Sequence, residues 1–392
     1  MPDSDVLIIG AGAAGLSLAW RLLTPPPGVP APRVTLVDAP PGPLRPPERT
    51  WCYWEKGAGD YDGALTASWQ RLRVRGADGE PYSRGLGELR YKMLRSPAFE
   101  RALRPALAPL HRTEAVVGEV RELPGGGAEA LCRTADGADL RLRARWVFDS
   151  RPPAVAPRAA RVRLLQHFKG WFVRTERPAF TPDTVELMDF RTPQPDHGLA
   201  FGYVLPLGPH EALVEYTQFS SSVLGDAAYD QALHHYTDAV LGLGPLRIRG
   251  VERGVIPMTD ARHARRAGRH VFRIGTAGGA VRPSTGYAFA AVQRQTRAVA
   301  EALHQGREPV PPRAYSARSH LMDTVLLRGL DTGRIAGPDF FTRLFAHVPA
   351  ERLLRFLDGD TRLGEDLLIG LRTPVAAMLR TVAELPFTAR RT

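Results

Sequence analysis

The stretch DVLIIGAGAAG, residues 5–15, decides the fold of this chain. After Asp5, residues 6–9 are continuously apolar, which is typical of a strand buried on both faces of a parallel sheet. Gly10 permits a tight turn, Gly12 lets the backbone approach a pyrophosphate, and Gly15 lets the following helix pack closely. That helix, predicted over residues 16–23, directs its N-terminal N–H groups at the anion. The predicted nucleotide loop consists of Gly10, Ala11, Gly12, Ala13, Ala14 and Gly15.

A second strand supplies the acid that such a loop requires. Residues 34–37 are apolar and are followed by Asp38, close to the expected spacing of about 20 residues after the loop. A carboxylate at this position binds the ribose diol of a dinucleotide. The alternative, a glycine-rich turn with no nucleotide, does not explain why the acid follows the second strand.

A later glycine-rich segment distinguishes FAD from NAD. Residues 271–274 predict a buried strand, residues 275–280 a glycine loop, and residues 283–287 the start of a helix at Ala288. This order resembles the second FAD-contacting motif of the glutathione-reductase-type flavoproteins. The resemblance implies FAD as the cofactor. The residues that it assigns to the flavin end are Gly275, Gly279, Thr285 and Gly286.

Two further segments have both a cofactor interpretation and a structural one. Residues 91–103 resemble the helix that places an arginine near the pyrophosphate in that superfamily, which makes Arg95 a candidate cofactor residue. An ordinary surface charge is the equally weighted alternative for Arg95. Residues 146–151 predict a strand that carries Asp149, and both structural and cofactor roles stay open for this acid.

Composition limits the possible partners. The 392 residues include 52 Lys and Arg against 41 Asp and Glu, a net charge of +11. Such a charge attracts nucleic acid or an anionic membrane, but the basic residues are mostly arginines spread along the chain, which favours compositional bias. We therefore expect no nucleic-acid partner. Cys52 and Cys132 lie far apart and predict no disulfide or metal site, as in a reducing cytoplasm.

The pattern changes after the first 150 residues. Between residues 151 and 249 apolar and polar residues alternate, which predicts antiparallel strands, with a hairpin across residues 208–211. Residues 340–387 are helical in pattern and rich in Leu, Phe and Arg. We predict an α/β fold. It comprises a Rossmann-type, glutathione-reductase-like FAD-binding domain from residues 1–150 and 250–305, an inserted antiparallel β-sheet substrate domain from residues 151–249, and a C-terminal helical cap from residues 306–392.

The chain as a whole resembles the flavin-dependent bacterial lycopene β-cyclases. The segments that carry this resemblance are residues 49–55, 148–151, 166–171, 188–191, 203–207, 213–217, 283–287 and 355–361. The family often has two adjacent acids where this chain has Glu215 followed by Tyr216. Whatever the second acid does in the family must therefore be done otherwise in this chain, or not at all.

The resemblance implies a non-redox isomerase of carotenoid biosynthesis. A ψ-end of lycopene or a related carotenoid is protonated and closes to a β-ionone ring, giving γ- or β-carotene. Glu215 is the implied catalytic residue, as acid, base or cation stabiliser, since burial on an apolar strand should raise its pKa. The alternative for Glu215 is a strand carboxylate that pairs with one of the many arginines. Reduced FAD is the implied cofactor, with NAD(P)H as the reductant. The alternatives are a net-redox FAD-dependent isoprenoid reductase or hydroxylase, and a carotenoid-binding flavoprotein without turnover.

Several other side chains have a possible role beside a carbocation, although packing is the alternative for each. The aromatic candidates are Trp51, Trp54, Trp171, Tyr203 and Phe219. His167 is a candidate proton carrier or a hydrogen-bonded core residue. Leucines and a phenylalanine within residues 353–371 predict an apolar helix face with basic flanks, which either packs on the sheet or docks on a membrane. We expect a cytoplasmic protein, peripheral on the inner face of the membrane.

Overall fold

The computed structural model describes residues 3–152 and 159–390, so the last two residues of the predicted cap lie outside it. Its strands are β1 Ser4–Ile9, β2 Val34–Asp38, β3 Thr50–Lys56, β4 Ala67–Trp69, β5 Arg71–Arg75, β6 Pro81–Gly85, β7 Leu89–Arg95, β8 His111–Glu114, β9 Val116–Glu122, β10 Ala128–Arg133, β11 Asp139–Asp149, β12 Arg163–Thr175, β13 Thr184–Asp189, β14 Leu199–Pro206, β15 Glu211–Ser220, β16 Leu246–Thr259 and β17 Val271–Arg273. The α-helices are α1 Ala13–Leu23, α2 Ser96–Leu103, α3 Asp226–His234, α4 Phe289–His304, α5 Ala317–Asp331, α6 Gly337–His347, α7 Ala350–Leu357, α8 Leu363–Gly370 and α9 Val375–Glu384.

The first sheet is built around β1. Its order is β8-β2-β1-β11-β10-β9, and β17 also pairs with β11. The pairs β1–β2, β1–β11, β2–β8 and β11–β17 are parallel. Because parallel strands end at one edge, both glycine loops, which follow β1 and β17, lie at that edge, where α/β sheets bind ligands. The predicted α/β fold with a Rossmann-type half is confirmed.

The second sheet has seven strands in the order β16-β12-β15-β14-β13-β5-β6. The predicted hairpin is present, because β14 and β15 pair antiparallel from Leu199 with Phe219 to Pro206 with Ala212. The sheet extends beyond residues 151–249, since β5, β6 and most of β16 come from stretches assigned to the FAD domain. Sheet membership therefore does not follow the boundaries at residues 150 and 250, and the division into domains stays a prediction.

A third sheet has the order β3-β7-β4. Along the chain, its strands alternate with β5 and β6 of the second sheet. It corrects the helix predicted over residues 91–103, since Tyr91 to Arg95 belong to β7 and the helix α2 begins at Ser96. Strand pairing with β3 and β4 decides this conformation, because tertiary context overrides local propensity. The buried ammonium of Lys92 in β7 donates to the carboxylates of Glu55 and Asp62.

The helices after α4 cover the second sheet. Leu353 and Leu354 of α7 are buried and share a core with sheet residues such as Leu187 and Phe201. The predicted apolar face is therefore divided, because the leucines of α8 and Leu371, which follows α8, remain exposed. None of the helices in the described residues is long and apolar enough to cross a bilayer.

A buried ion pair connects these layers. Arg282, which precedes the segment 283–287, lies 3.1 Å from the Asp323 carboxylate on α5, and the two side chains are 1% and 3% exposed. Asp323 also accepts a hydrogen bond of 2.7 Å from the Ser284 hydroxyl, and Arg282 donates to the carbonyl of Phe356 on α7. The segment 283–287 is thereby fixed to the helical cap.

The Asp323→Asn variant tests this connection. Removing one partner of a buried ion pair leaves an uncompensated charge and costs about 3–5 kcal/mol. We expect the free energy of unfolding, measured by urea denaturation, to fall by that amount. The control is Glu308→Gln, which breaks the exposed Arg266–Glu308 pair of 2.7 Å and should cost below about 1 kcal/mol. Equal effects in the two variants would show that the buried pair does not stabilise the fold.

Candidate functional site

The first glycine loop has the geometry of a pyrophosphate cradle. Gly10 has a φ of +97°, which favours glycine. A side chain at Gly15 would overlap the carbonyl oxygen of Gly10, whereas a side chain at Gly12 would meet open space. Asp38 accepts a hydrogen bond of 3.2 Å from the Ala11 N–H. The loop is therefore packed tightly against its helix at Gly15 and open to a ligand at Gly12.

The second glycine loop contacts the first. A Cβ on Gly275 would lie 2.8 Å from the Cβ of Ala14, so the two loops touch at the start of α1. The Gly275 N–H donates to the Gln295 side chain at 2.9 Å, and Gly279 adopts a φ of +77°. The structure thus brings the two predicted cofactor segments to one edge of the first sheet.

The segment 283–287 turns tightly between the two halves of the molecule. Gly286 has a φ of +73°, and its N–H donates to the carbonyl of Arg282 at 3.0 Å. A side chain at Gly286 would overlap the side-chain oxygen of Gln166 on β12. The Thr285 hydroxyl and this Gln166 oxygen are buried without a hydrogen-bond partner among the described residues. Unpartnered buried polar atoms are costly, so their position suits a polar ligand.

Glu215 lies on the face of the second sheet that meets this turn. We name as the site face the side of the sheet that carries Gln166, Gly170, Tyr203, Glu215 and Glu252. Gly170 pairs with both glutamates, and Tyr203 pairs with Glu215. Directly paired residues of antiparallel strands project to the same side. The register therefore places the predicted acid in a row of polar residues opposite the flavin-end loop.

Burial makes Glu215 a weak acid. Desolvation is the main reason that its pKa is raised from the ordinary 4.5 to about 8; the hydrogen bond from Thr217 lowers the pKa, and the nearby charge of Glu252 raises it. That bond, from the Thr217 hydroxyl to Oε1 of Glu215, is 2.6 Å long. Glu215 consequently holds a proton at neutral pH, as a general acid must.

A cluster of tyrosines covers the row. The Tyr91 hydroxyl shares hydrogen bonds of 2.8 Å with Tyr203 and 2.7 Å with Tyr287. The indole of Trp54 stacks on Tyr91 and meets Tyr287 edge to face. Electron-rich ring faces stabilise cations. The cluster therefore joins the turn at residues 283–287 to the site face through aromatic side chains.

Glu252 lines a cavity at the edge of the row. The backbone N–H of Thr50 donates to Oε1 of Glu252 at 2.8 Å, and the Thr50 hydroxyl donates to Oε2 at 2.5 Å. The cavity measures about 400 Å³, and its wall includes Phe172 and three arginines, Arg49, Arg95 and Arg253. It opens between the strand end that carries Arg95 and the edge strand β16.

Arg95 therefore lies on a cavity wall, where it pairs with Glu48 at 2.9 Å and stacks on Phe172 at 4.7 Å. Its predicted contact with a pyrophosphate stays a prediction. Asp149 pairs with Arg151 at 2.7 Å, which is the structural role considered for it.

Not all of the predicted side chains reach the site face. His167 and Trp171 project to its opposite side, where His167 bonds Tyr229 at 2.6 Å and Trp171 packs on His234. Trp51 packs against Phe289 of α4, in the core that includes residues of β1 and α1. Of the aromatic candidates, Tyr203 pairs directly with Glu215, and Phe219 lies on the site face through its pairing with Gln166. Trp54 contacts Tyr91 and Tyr287. In the described ranges no group of three or more metal-binding side chains is found.

Sequence reasoning missed Glu252, Thr50 and Tyr91. Glu252 stands between Val251 and Arg253 in an ordinary alternating strand, and only the pairing of β16 with β12 aligns it with Glu215. Thr50 lies in the segment 49–55 that carried the family resemblance, so the segment was found but not the contact.

Solved structures share this fold. A geranylgeranyl bacteriochlorophyll reductase-like protein from Thermoplasma acidophilum matches 97% of this chain and 96% of its own with a TM-score of 0.59 at 15% identity. The flavin-dependent brominase Bmp2, as a triple mutant, matches 98% of this chain and 99% of its own with a TM-score of 0.61 at 16% identity. These similarities define the class of the fold, that of the FAD-dependent enzymes.

Within that class, residues 5–383 match the family described as lycopene cyclase protein, and the chain belongs to this family. An uncharacterized carotenoid cyclase of Deinococcus radiodurans is 28% identical over 97% of this chain and 90% of its own length. The family identified from the sequence is confirmed. Membership supports an enzyme of carotenoid cyclisation with a carotenoid as its substrate.

Glu215 should leave a signature in the pH dependence of stability. The unfolded carboxyl ionises near pH 4.5, whereas the folded one keeps its proton to about pH 8. Its contribution is therefore fully present below about pH 4.5 and is lost as the pH rises to about 8. We expect the free energy of unfolding of the wild type, relative to Glu215→Gln, to fall by a few kcal/mol across this range.

Urea denaturation at a series of pH values measures this difference. Glu211→Gln is the matched control, because Glu211 lies on the same strand with a side chain 44% exposed, and its difference from the wild type should not show this fall. A flat difference for Glu215→Gln as well would mean that Glu215 ionises normally in the folded protein.

Proposed function

We propose that this protein is a lycopene β-cyclase, an isomerase that closes the ψ-end of lycopene or a related carotenoid to a β-ionone ring. The observation that carries the proposal is Glu215, a buried acid of raised pKa on the face opposite the predicted flavin-end loop. Protonation of a carbon–carbon double bond needs such an acid, kept from water. Family membership supplies the class of substrate.

The chain's own residues account for the steps of this reaction. Glu215 gives its proton to the terminal double bond, and the carbocation closes onto the neighbouring one. Trp54 and the rings of Tyr91 and Tyr287 stabilise positive charge through their faces. The ring then loses one proton, which the Glu215 carboxylate takes back, so the protons balance and no net electron transfer takes place.

The residues at the two glycine loops fit FAD. Gly12 leaves open space for a pyrophosphate, and Asp38 lies at the loop where it could bind a ribose. The Thr285 hydroxyl, which is buried without a partner among the described residues, suits the flavin end of the cofactor. Reduced FAD, as proposed here, supplies negative charge beside the cation. NAD(P)H is the proposed reductant, and the arginines that line the cavity beside Glu252 suit its phosphates.

We further propose that the protein works as a peripheral protein on the cytoplasmic face of the membrane, where carotenoids dissolve. The exposed apolar side chains of α8, α9 and their flanks support this surface, which we name the cap face: Leu363, Leu367, Leu368, Leu371, Val375, Leu379, Val382 and Phe387. Contiguous exposed apolar side chains of this kind mark interaction sites.

The charges around the cap face suit anionic lipid. Arg362, Arg372 and Arg380 are exposed along it. The acids of the same segment are paired with arginines elsewhere in the cap: Glu365, Asp366 and Glu384. An apolar helix face flanked by exposed arginines is the pattern of a helix that lies in a membrane interface.

The Glu215→Gln variant tests the proposed function. Purified protein is incubated with lycopene, reduced FAD and lipid, and the pigments are separated by chromatography. We expect the variant to keep FAD but to lose cyclisation by at least about a hundredfold, because its amide donates no proton to carbon. Glu211→Gln should retain wild-type activity. Neither should consume NADPH in proportion to product.

Two outcomes would contradict the proposal. NADPH consumption matched to product would identify a net-redox isoprenoid reductase or hydroxylase, a role that the shared fold also permits. Bound carotenoid recovered unchanged from the wild type would indicate a carotenoid-binding flavoprotein. An active Glu215→Gln variant would remove Glu215 from the mechanism.

The double variant Leu367→Gln with Leu371→Gln tests the cap face. Each leucine contributes about 1.5 kcal/mol or more on burial, so membrane partitioning should fall on the order of a hundredfold. Sedimentation with vesicles of phosphatidylglycerol and phosphatidylcholine measures this. Leu44→Gln is the control, since Leu44 is 66% exposed outside the cap, and should bind as the wild type does. Equal binding by the double variant would exclude the cap face.

A further inference from the structure

The register of the second sheet places two carboxylates on either side of one glycine. Gly170 of β12 pairs with Glu215 of β15 on one side and with Glu252 of β16 on the other. Since neighbouring strands lie about 4.8 Å apart, the two glutamate Cα atoms are separated by about 10 Å on the same face.

The glycine lets Glu215 lean toward Glu252. A Cβ built on Gly170 would lie 3.3 Å from the Cβ of Glu215 and 2.9 Å from Cδ1 of Leu213. A larger residue would fill this space and push the glutamate stem away. The two acids therefore face each other across a strand that has no side chain between them.

Glu252 is held as a carboxylate. Both of its oxygens accept hydrogen bonds from Thr50, one from the backbone N–H and one from the hydroxyl. An ionised carboxylate accepts at both oxygens, whereas an acid must donate at one of them. The arrangement fixes a negative charge at one end of the row.

The other titratable groups that face Glu215 are neutral around pH 8. Burial raises the pKa of the Cys52 thiol on β3 to about 12. It also raises the pKa values of the Tyr91, Tyr203 and Tyr287 phenols above their ordinary range. Among the described residues of the elements packed on Glu215, the charge that acts on it is therefore that of Glu252.

Arginines lie on the far side of Glu252, where they line the cavity. Each has its own partner, since Arg49 donates to the carbonyl of Arg253, Arg95 pairs with Glu48, and Arg253 pairs with Asp226. The arginines are therefore engaged with these partners, and the hydrogen bonds to the Glu252 carboxylate come from Thr50.

We infer that Glu252 is the second acid of the site, a positioning residue whose fixed negative charge adds to burial in keeping Glu215 protonated and ready to donate. The inference rests on the proposed function for its role in cyclisation, whereas the coupling between the two acids is a property of the folded protein. In this inference, Glu215 of β15 and Glu252 of β16 together take the place of the two adjacent acids in the family's pattern.

The experiment titrates Glu215 directly. The infrared carbonyl band of its protonated carboxyl, identified by its loss in Glu215→Gln, is followed against pH in the full-length, FAD-loaded protein. In Glu252→Gln we expect the midpoint to fall by about one pH unit, as two charges about 10 Å apart give at an effective dielectric constant of about 20. The high-pH limit of cyclisation should fall by the same amount.

Three variants complete the test. Glu252→Leu removes the charge without an amide and should shift the midpoint in the same direction, so the test survives if one variant fails to fold. Glu252→Asp restores the charge and should restore the midpoint to near the wild-type value. Glu211→Gln removes a charge at the exposed end of β15 and should shift nothing.

An unchanged midpoint in both charge-removing variants would overturn the inference. The band needs no substrate, so the coupling is tested even if the wild type does not cyclise lycopene. Absence of cyclised product with a shifted midpoint would instead reject the proposed function and leave the coupling in place.

Discussion

The buried Arg282–Asp323 pair is the interaction on which the site depends. Arg282 precedes the 283–287 turn, and its guanidinium reaches α5 and α7 at once. The turn itself follows the second glycine loop of the first sheet and seats Gly286 on Gln166 of the second. One ion pair therefore sets how the helical cap, the nucleotide edge and the site face meet. Its burial makes the arrangement rigid, because neither charge can leave its partner without a large penalty.

The second constraint is the desolvation of Glu215, which raises the pKa of its carboxyl group. Glu215 is covered by the tyrosine cluster and by the core beneath the cap. Removing water weakens the carboxylic acid enough to keep its proton at neutral pH. In the proposed reaction, the exclusion of water also protects the carbocation from hydration. A change that admits water to the row is therefore expected to lower the pKa of Glu215 and to expose the proposed cation to hydration.

Local sequence predicted the elements that one strand or loop can define. The β1 run, the glycine spacing and Asp38 each carry their physical reason within a few residues, and the β14–β15 hairpin follows from alternation around a short turn. Tyr91 to Arg95 were wrongly assigned to a helix, because their conformation depends on pairing with strands distant in sequence. Glu252 was missed for the same reason, since only the register of three strands brings it opposite Glu215.

The departure of this chain from its family's pattern thus has a structural account. A pair of adjacent acids on one strand directs its two side chains to opposite faces of a sheet, because successive residues alternate. Acids on β15 and β16 in register with Gly170 instead share one face. The position after Glu215 is then free to be Tyr216, which is buried in the core on the opposite side of the sheet. In the proposed mechanism, Glu215 is the single catalytic acid, and the inferred charge that acts on it comes from Glu252, two strands away on the same face.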